Sequence, residues 1–235
     1  MASRDSLEVK SLLAKGVVRR VLIDEAIGLR LRYVGTGTVT TVAVTQATNV
    51  VLTTSDGGID TYDFDTASNA TLGGLCDNIN ADGIFEAVVV DALRSEDPDD
   101  FFITNANTTV GSDENGVACY DLLVDTDVAL TMAACLSPLK PNFDMPSGHR
   151  VHLQQIDYMI NNTAAAATLK IYKRKDATET LIYSATNTDN SATSLSWASG
   201  EGKITAGVDE ELVVFFDGTL VTATGGKIQL IGIYE

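Results

Sequence analysis

The sequence is short of the residues that most catalytic and ligand-binding sites are built from. Its 235 residues include one tryptophan, two histidines, three cysteines and four prolines. An odd set of three cysteines (Cys76, Cys119 and Cys135) is not a disulfide framework, and the simplest expectation is three reduced, buried thiols acting as small hydrophobes. His149 and His152 are three apart, a spacing that sends them to opposite faces of a strand, so they do not form a metal pair. There is no HExxH, no CxxC, no phosphate-binding glycine–lysine loop and no Gly-x-Ser-x-Gly elbow. No apolar run approaches the roughly 20 residues of a membrane-spanning helix. Lys10, Lys15, Arg19 and Arg20 interrupt every apolar stretch near the start, so no secretory leader is expected. Without secretion, the Asn-x-Thr triplets at Asn69, Asn107 and Asn161 read as turns. Cations are also scarce. Sixteen Lys and Arg stand against 32 Asp and Glu, a net charge of −16. Such a chain is repelled by phosphate backbones, which excludes general nucleic-acid binding.

What is present is apolar material, at 45% of residues, enough for a real core in one large domain or two small ones. The charge is segregated. Residues 1–32 carry seven cations against four acids, and residues 33–139 carry Arg94 alone against seventeen acids. Residues 140–235 carry eight cations against eleven acids. Segments charged so differently are expected to meet different surfaces, and an acidic surface also keeps a protein soluble at high local concentration.

Residues 1–28 are read as an N-terminal arm, with the β-branched run Val17, Val18, Val21 and Ile23 favouring a strand after Gly16. Residues 29–137 form an acidic, β-rich α+β module. Leu29, Leu31 and Tyr33 alternate with Arg30, Arg32 and Val34, the period of a half-buried strand. Asp56-Gly57 lies between the runs 49–54 and 59–64, which predicts a hairpin. Leu72, Leu75, Cys76 and Ile79 recur at helical spacing, with Asn69 as the expected N-cap and a stop between Asn80 and Gly83. Phe85–Val90 then reads as a strand, and the polar stretch 91–116 as a long loop around a short Phe101–Ile103 strand. Strands are also expected at Cys119–Val124 and Val128–Cys135. Three prolines between Pro138 and Pro146 mark 138–148 as a linker. From 149 to 235, six short apolar runs alternate with Asn-, Gly- and Asp-rich turns, which predicts an antiparallel β-sandwich or jelly roll.

The segments Thr61-Tyr62-Asp63-Phe64, Ala70-Thr71-Leu72-Gly73-Gly74-Leu75, Ile79-Asn80-Ala81 and Phe85-Glu86-Ala87-Val88-Val89 resemble a small hairpin–helix–strand module. That module recurs in flagellar filament and hook-associated proteins and in bacteriophage virion proteins. The likeness covers about 30 residues, and Gly73-Gly74 departs from the usual helix formers. It implies a rigid, exposed module in an extracellular assembly. With two β-rich modules and the closing segment 225–235, the whole chain is similar in architecture to phage head decoration or cement proteins and tail-associated β-sandwich proteins.

The fold expected is therefore mainly β, a small α+β module followed by an antiparallel sandwich. The function that the resemblance implies is a non-enzymatic virion component on the capsid surface, assembled in a host cytoplasm without cofactor or metal. It would associate with itself as a trimer and with the major capsid protein, and touch neither nucleic acid nor membrane. The alternatives are a tail tube, baseplate or fibre protein and a carbohydrate- or receptor-binding module, for which Trp197 is the one aromatic platform. Candidate interface residues are the cations Arg19, Arg20, Arg30 and Arg32 and the cluster Lys173, Arg174 and Lys175, placed to dock an acidic neighbour. Asp56, Asp60, Asp63 and Asp65, and the run Glu96 to Asp100, offer hard oxygens for Ca²⁺ but read more simply as solvated surface.

Overall fold

The computed structural model describes residues 16–22, 25–45, 48–55, 58–99, 101–106, 109–112, 118–125, 132–136, 150–159, 167–187, 193–196, 204–217 and 227–234. The expected linker at 138–148, His149 and Trp197 lie outside the described residues. Among the described residues the fold is mainly β, with antiparallel sheets and one short helix.

The first and last strands among the described residues, β1 (Gly16–Leu22) and β17 (Lys227–Tyr234), pair along their length, Gly16 opposite Ile233 and Leu22 opposite Lys227. The next strand inward, β10 (Met132–Leu136), pairs with the next from the end, β16 (Glu211–Asp217). Next come β11 (Val151–Met159), β12 (Ala167–Lys175) and β13 (Thr178–Asn187). Beyond them are two short pieces, β14 (Thr193–Ser196) and β15 (Ile204–Ala206). Both short pieces pair with β11, one at residues 155–158 and the other at 151–153, so they act as one interrupted strand. One sheet runs β1-β17-β11-β14, the other β10-β16-β12-β13. First strand with last and second with penultimate, split over two sheets, is the order of a jelly roll. Tyr158 and Phe216 meet between the sheets at 4.8 Å, in a core that also holds Ile156, Leu230, Leu212 and Val214.

Residues 25–125 are inserted between the first and second strands of this sandwich. They form two four-stranded sheets and the helix. One sheet is β6 (Phe85–Val89), β2 (Ile27–Tyr33), β9 (Ala118–Leu123) and β8 (Thr109–Ser112), in that order. The other is β5 (Gly58–Asp63), β4 (Asn49–Thr54), β3 (Val39–Thr45) and β7 (Asn105–Ala106). The insertion enters and leaves at one place, where the Val124 amide donates to the Ala26 carbonyl at 2.9 Å. Its hydrophobic residues and those of the sandwich form one continuous core.

Two boundaries differ from the reading of the sequence. Gly16–Leu22, assigned to an arm, is a strand of the sandwich, because its β-branched residues find a partner in the C-terminal strand. Met132–Leu136, assigned to the first module, belongs to the sandwich through β16. The helix, α1, spans Leu72–Asp82 with Leu72, Leu75, Cys76 and Ile79 buried. Its N-cap is Thr71, whose Oγ1 accepts from the Gly74 amide at 3.1 Å, and not Asn69. Asn69 is instead buried and holds the turn, its Nδ2 donating to the Asp63 carbonyl at 2.8 Å. Gly83 ends the helix in the left-handed region at φ 74°. The paired glycines admit close neighbours. A Cβ on Gly74 would stand 2.3 Å from the Ser68 carbonyl oxygen, and one on Gly73 would stand 3.0 Å from that of Arg94.

Candidate functional site

Most of the expected interface cations are engaged inside the molecule. Arg30 lies opposite Asp121 on β9 and binds both its carboxylate oxygens, at 2.6 and 2.9 Å. Arg32 lies opposite Glu86 on β6 and pairs with it. Leu29 and Leu31 fill the core on one face, so the alternation seen in the sequence puts the arginines on the opposite face with ready partners. Arg19 and Arg20 stand on β1 opposite Leu230 and Gln229. Lys173 pairs with Glu210 at 3.0 Å, and Lys175 is exposed.

Arg174 is the clear correction. It is not part of a solvated patch: it is 4% exposed and forms the joint between sandwich and insertion. Its cross-strand neighbours are both acids, Glu179 on β13 and Glu211 on β16. Nε donates to Glu179 at 2.9 Å and Nη1 to Glu211 at 3.1 Å. The rest of the guanidinium reaches across to the insertion. Nη1 donates to the Val89 carbonyl at 2.8 Å and Nη2 to the Ala92 carbonyl. Burial disfavours the charge, but Glu211, with Glu179 behind it, outweighs burial and holds the arginine above its ordinary value. Glu179 in turn accepts the Arg94 amide at 3.0 Å, and Asp91 accepts the amides of Ile27 at 3.2 Å and Cys135 at 3.0 Å.

A cavity of about 180 Å³ opens beside this joint, lined by Cys76, Asn80, Ala87, Arg94, Arg174 and Glu211 among others. Two of its polar side chains are fixed on the Ala87 backbone. The Cys76 thiol donates to the Ala87 carbonyl at 3.0 Å, and Asn80 both donates to that carbonyl at 3.0 Å and accepts the Ala87 amide at 2.8 Å. Burial pushes the Cys76 thiol up, against the pull of Arg94. A buried thiol raised in this way is a poor nucleophile. Chemically the arrangement fastens two lobes together.

Glu179, Glu211 and Asp91 were not singled out by the sequence. The available signal was their position: Asp91 closes the run Val88–Val90, and Glu211 opens the run Leu212–Phe216. All three cysteines are buried thiols outside any disulfide. His152 bonds through Nδ1 to Thr205 Oγ1 at 2.9 Å. Of the acidic clusters, Asp63 and Asp97 hold turns, accepting the amides of Asp65 and Asp99 at 3.0 and 2.9 Å. Among the described residues no group of three or more His, Cys, Asp or Glu is placed to hold a metal ion, and no helix is long and apolar enough to cross a membrane.

Comparison of the chain with protein families, with curated proteins and with solved structures finds no match.

Proposed function

We propose that this chain is a non-enzymatic structural protein of a bacteriophage virion, a decoration or cement protein that self-associates on the capsid surface and reinforces the head. The observation that carries the reading is the jelly-roll strand order closed by its first and last strands. This sandwich is an architecture of viral shells, although it serves lectins too, so the site and surface must carry the rest. Support comes from the joint at Arg174, which fastens a second lobe to the sandwich and suits a rigid building block. The net charge of −16 supports an outward-facing surface that keeps particles from clumping.

The test is the protein composition of phage particles purified from the culture whose phage encodes the chain. The chain is expected in fixed stoichiometry with the major capsid protein, and stripping it is expected to lower the temperature at which heads release their DNA. Particles that lack the chain would refute the proposal. Binding of the pure chain to a glycan array, with the chain absent from heads, would put the receptor-binding alternative in its place.

A further inference from the structure

A second cleft, of about 470 Å³, lies where the start of α1 and residues 93–95 of the insertion face the β12–β13 hairpin of the sandwich. That size falls within the range of small-molecule sites, and a position between lobes is a usual one for them.

The charges around the cleft are already matched. Arg94 Nη2 binds Asp77 at 2.7 Å and the Gly73 carbonyl at 3.1 Å. Glu179 accepts the Arg94 amide and Arg174 Nε. The start of α1 does not offer its amides to an anion either. Those of Leu72 and Gly73 go to the Glu96 and Arg94 carbonyls, both at 2.8 Å, and that of Gly74 goes to Thr71 Oγ1 at 3.1 Å. An ionic ligand would have to displace one of these partners, and an uncharged ligand displaces none.

What remains is neutral hydrogen-bonding capacity beside an apolar wall. Among the described residues the Ser95 and Tyr172 hydroxyls make no hydrogen bond, and Thr71 uses its oxygen only as an acceptor. Asp77 engages Oδ2 alone, and its side chain is 62% exposed. Tyr172 supplies the apolar part. It packs against Leu93 and stands directly opposite Leu181, which is 48% exposed. Hydroxyls and a carboxylate oxygen beside a tyrosine ring match a ligand with hydroxyls along its edge and C–H bonds on its faces. Saccharides have that form.

We propose that this cleft binds a neutral saccharide, with Tyr172 as the stacking platform, Asp77 as an acceptor, and Thr71 and Ser95 as hydroxyl partners. The inference goes beyond the structural role proposed above and does not rest on it.

The test is a glycan array probed with the full chain, carrying neutral hexose and N-acetylhexosamine oligosaccharides beside sialylated and sulfated ones. Titration calorimetry follows with the tightest-binding neutral oligosaccharide. Neutral glycans are expected to bind, and the acidic ones are not. Asp77→Ala and Tyr172→Leu, the second keeping an apolar side chain against Leu93, are each expected to weaken binding by about tenfold. Ile59→Lys, at an exposed position outside the cleft, is expected to bind as the wild type does. No neutral glycan bound, a preference for acidic glycans, a loss of binding in Ile59→Lys, or binding that either cleft variant leaves unchanged would each overturn the proposal. If Tyr172→Leu loses its β-sheet circular dichroism signal, Ser95→Phe, which fills the cleft from an exposed position, takes its place. Saccharide binding at these residues by a chain missing from virions leaves this site standing and removes the virion reading. A virion protein that binds no neutral glycan does the reverse.

Discussion

At the scale of single residues, close contact overrides intrinsic preference. Gly74 sits inside a helix, where alanine would ordinarily add about 1 kcal/mol. The Ser68 carbonyl leaves no room for a Cβ, at 2.3 Å, and overpacking of this kind costs about 1–3 kcal/mol. Gly74→Ala is therefore expected to lower the urea midpoint of unfolding. The departure of Gly73-Gly74 from the usual helix formers has this cause, which sequence alone does not display. Tyr62 gives a pH signature. Burial first, and then its hydrogen bond to Asp82, push the phenol well above its ordinary value. The folded state thus holds this proton more tightly than the unfolded chain. The stability it contributes is complete below the unfolded value, about 10, and is lost as pH rises beyond it. Tyr62→Phe is expected to flatten the alkaline limb of the stability curve, measured by denaturant unfolding from pH 8 to 11.

At the scale of elements, local patterns were legible where neighbours in sequence are neighbours in space. The 49–54 and 58–63 hairpin, the buried face of α1 and the Phe85–Val89 strand follow from period and turn chemistry in the sequence. Most strands of the sandwich were legible for the same reason. The short pieces β7, β8 and β15 were not, since two to four residues carry no usable period. Arg174 misled because Lys-Arg-Lys at a strand end reads as solvent-facing, and only the cross-strand register brings Glu179 and Glu211 to it. Its burial has a measurable result. Removing one partner of a buried ionic group costs about 3–5 kcal/mol, since the other charges stay behind without compensation. Arg174→Met is expected to destabilise the chain by that order in chemical denaturation, because two carboxylates and the Val89 and Ala92 carbonyls lose their donor. A loss under about 1 kcal/mol would show that the joint contributes little.

At the scale of the whole molecule, the pairing that defines the fold is the one least written in local sequence. Gly16 meets Ile233 and Leu22 meets Lys227, and no periodicity within either segment announces the other. The arm expected from the basic, β-branched start is for that reason a strand in the structure. The same pairing constrains how the polypeptide acquires its form during synthesis. The inserted lobe has both its ends in contact at Ala26 and Val124, so it can mature while the ribosome is still working downstream. The opening strand must wait, unmatched, until the final one emerges. Long-separation contacts of this kind make folding slow, and they make residues 227–233 decisive: a nascent chain cut short before them leaves the Gly16–Leu22 strand exposed as a sticky edge.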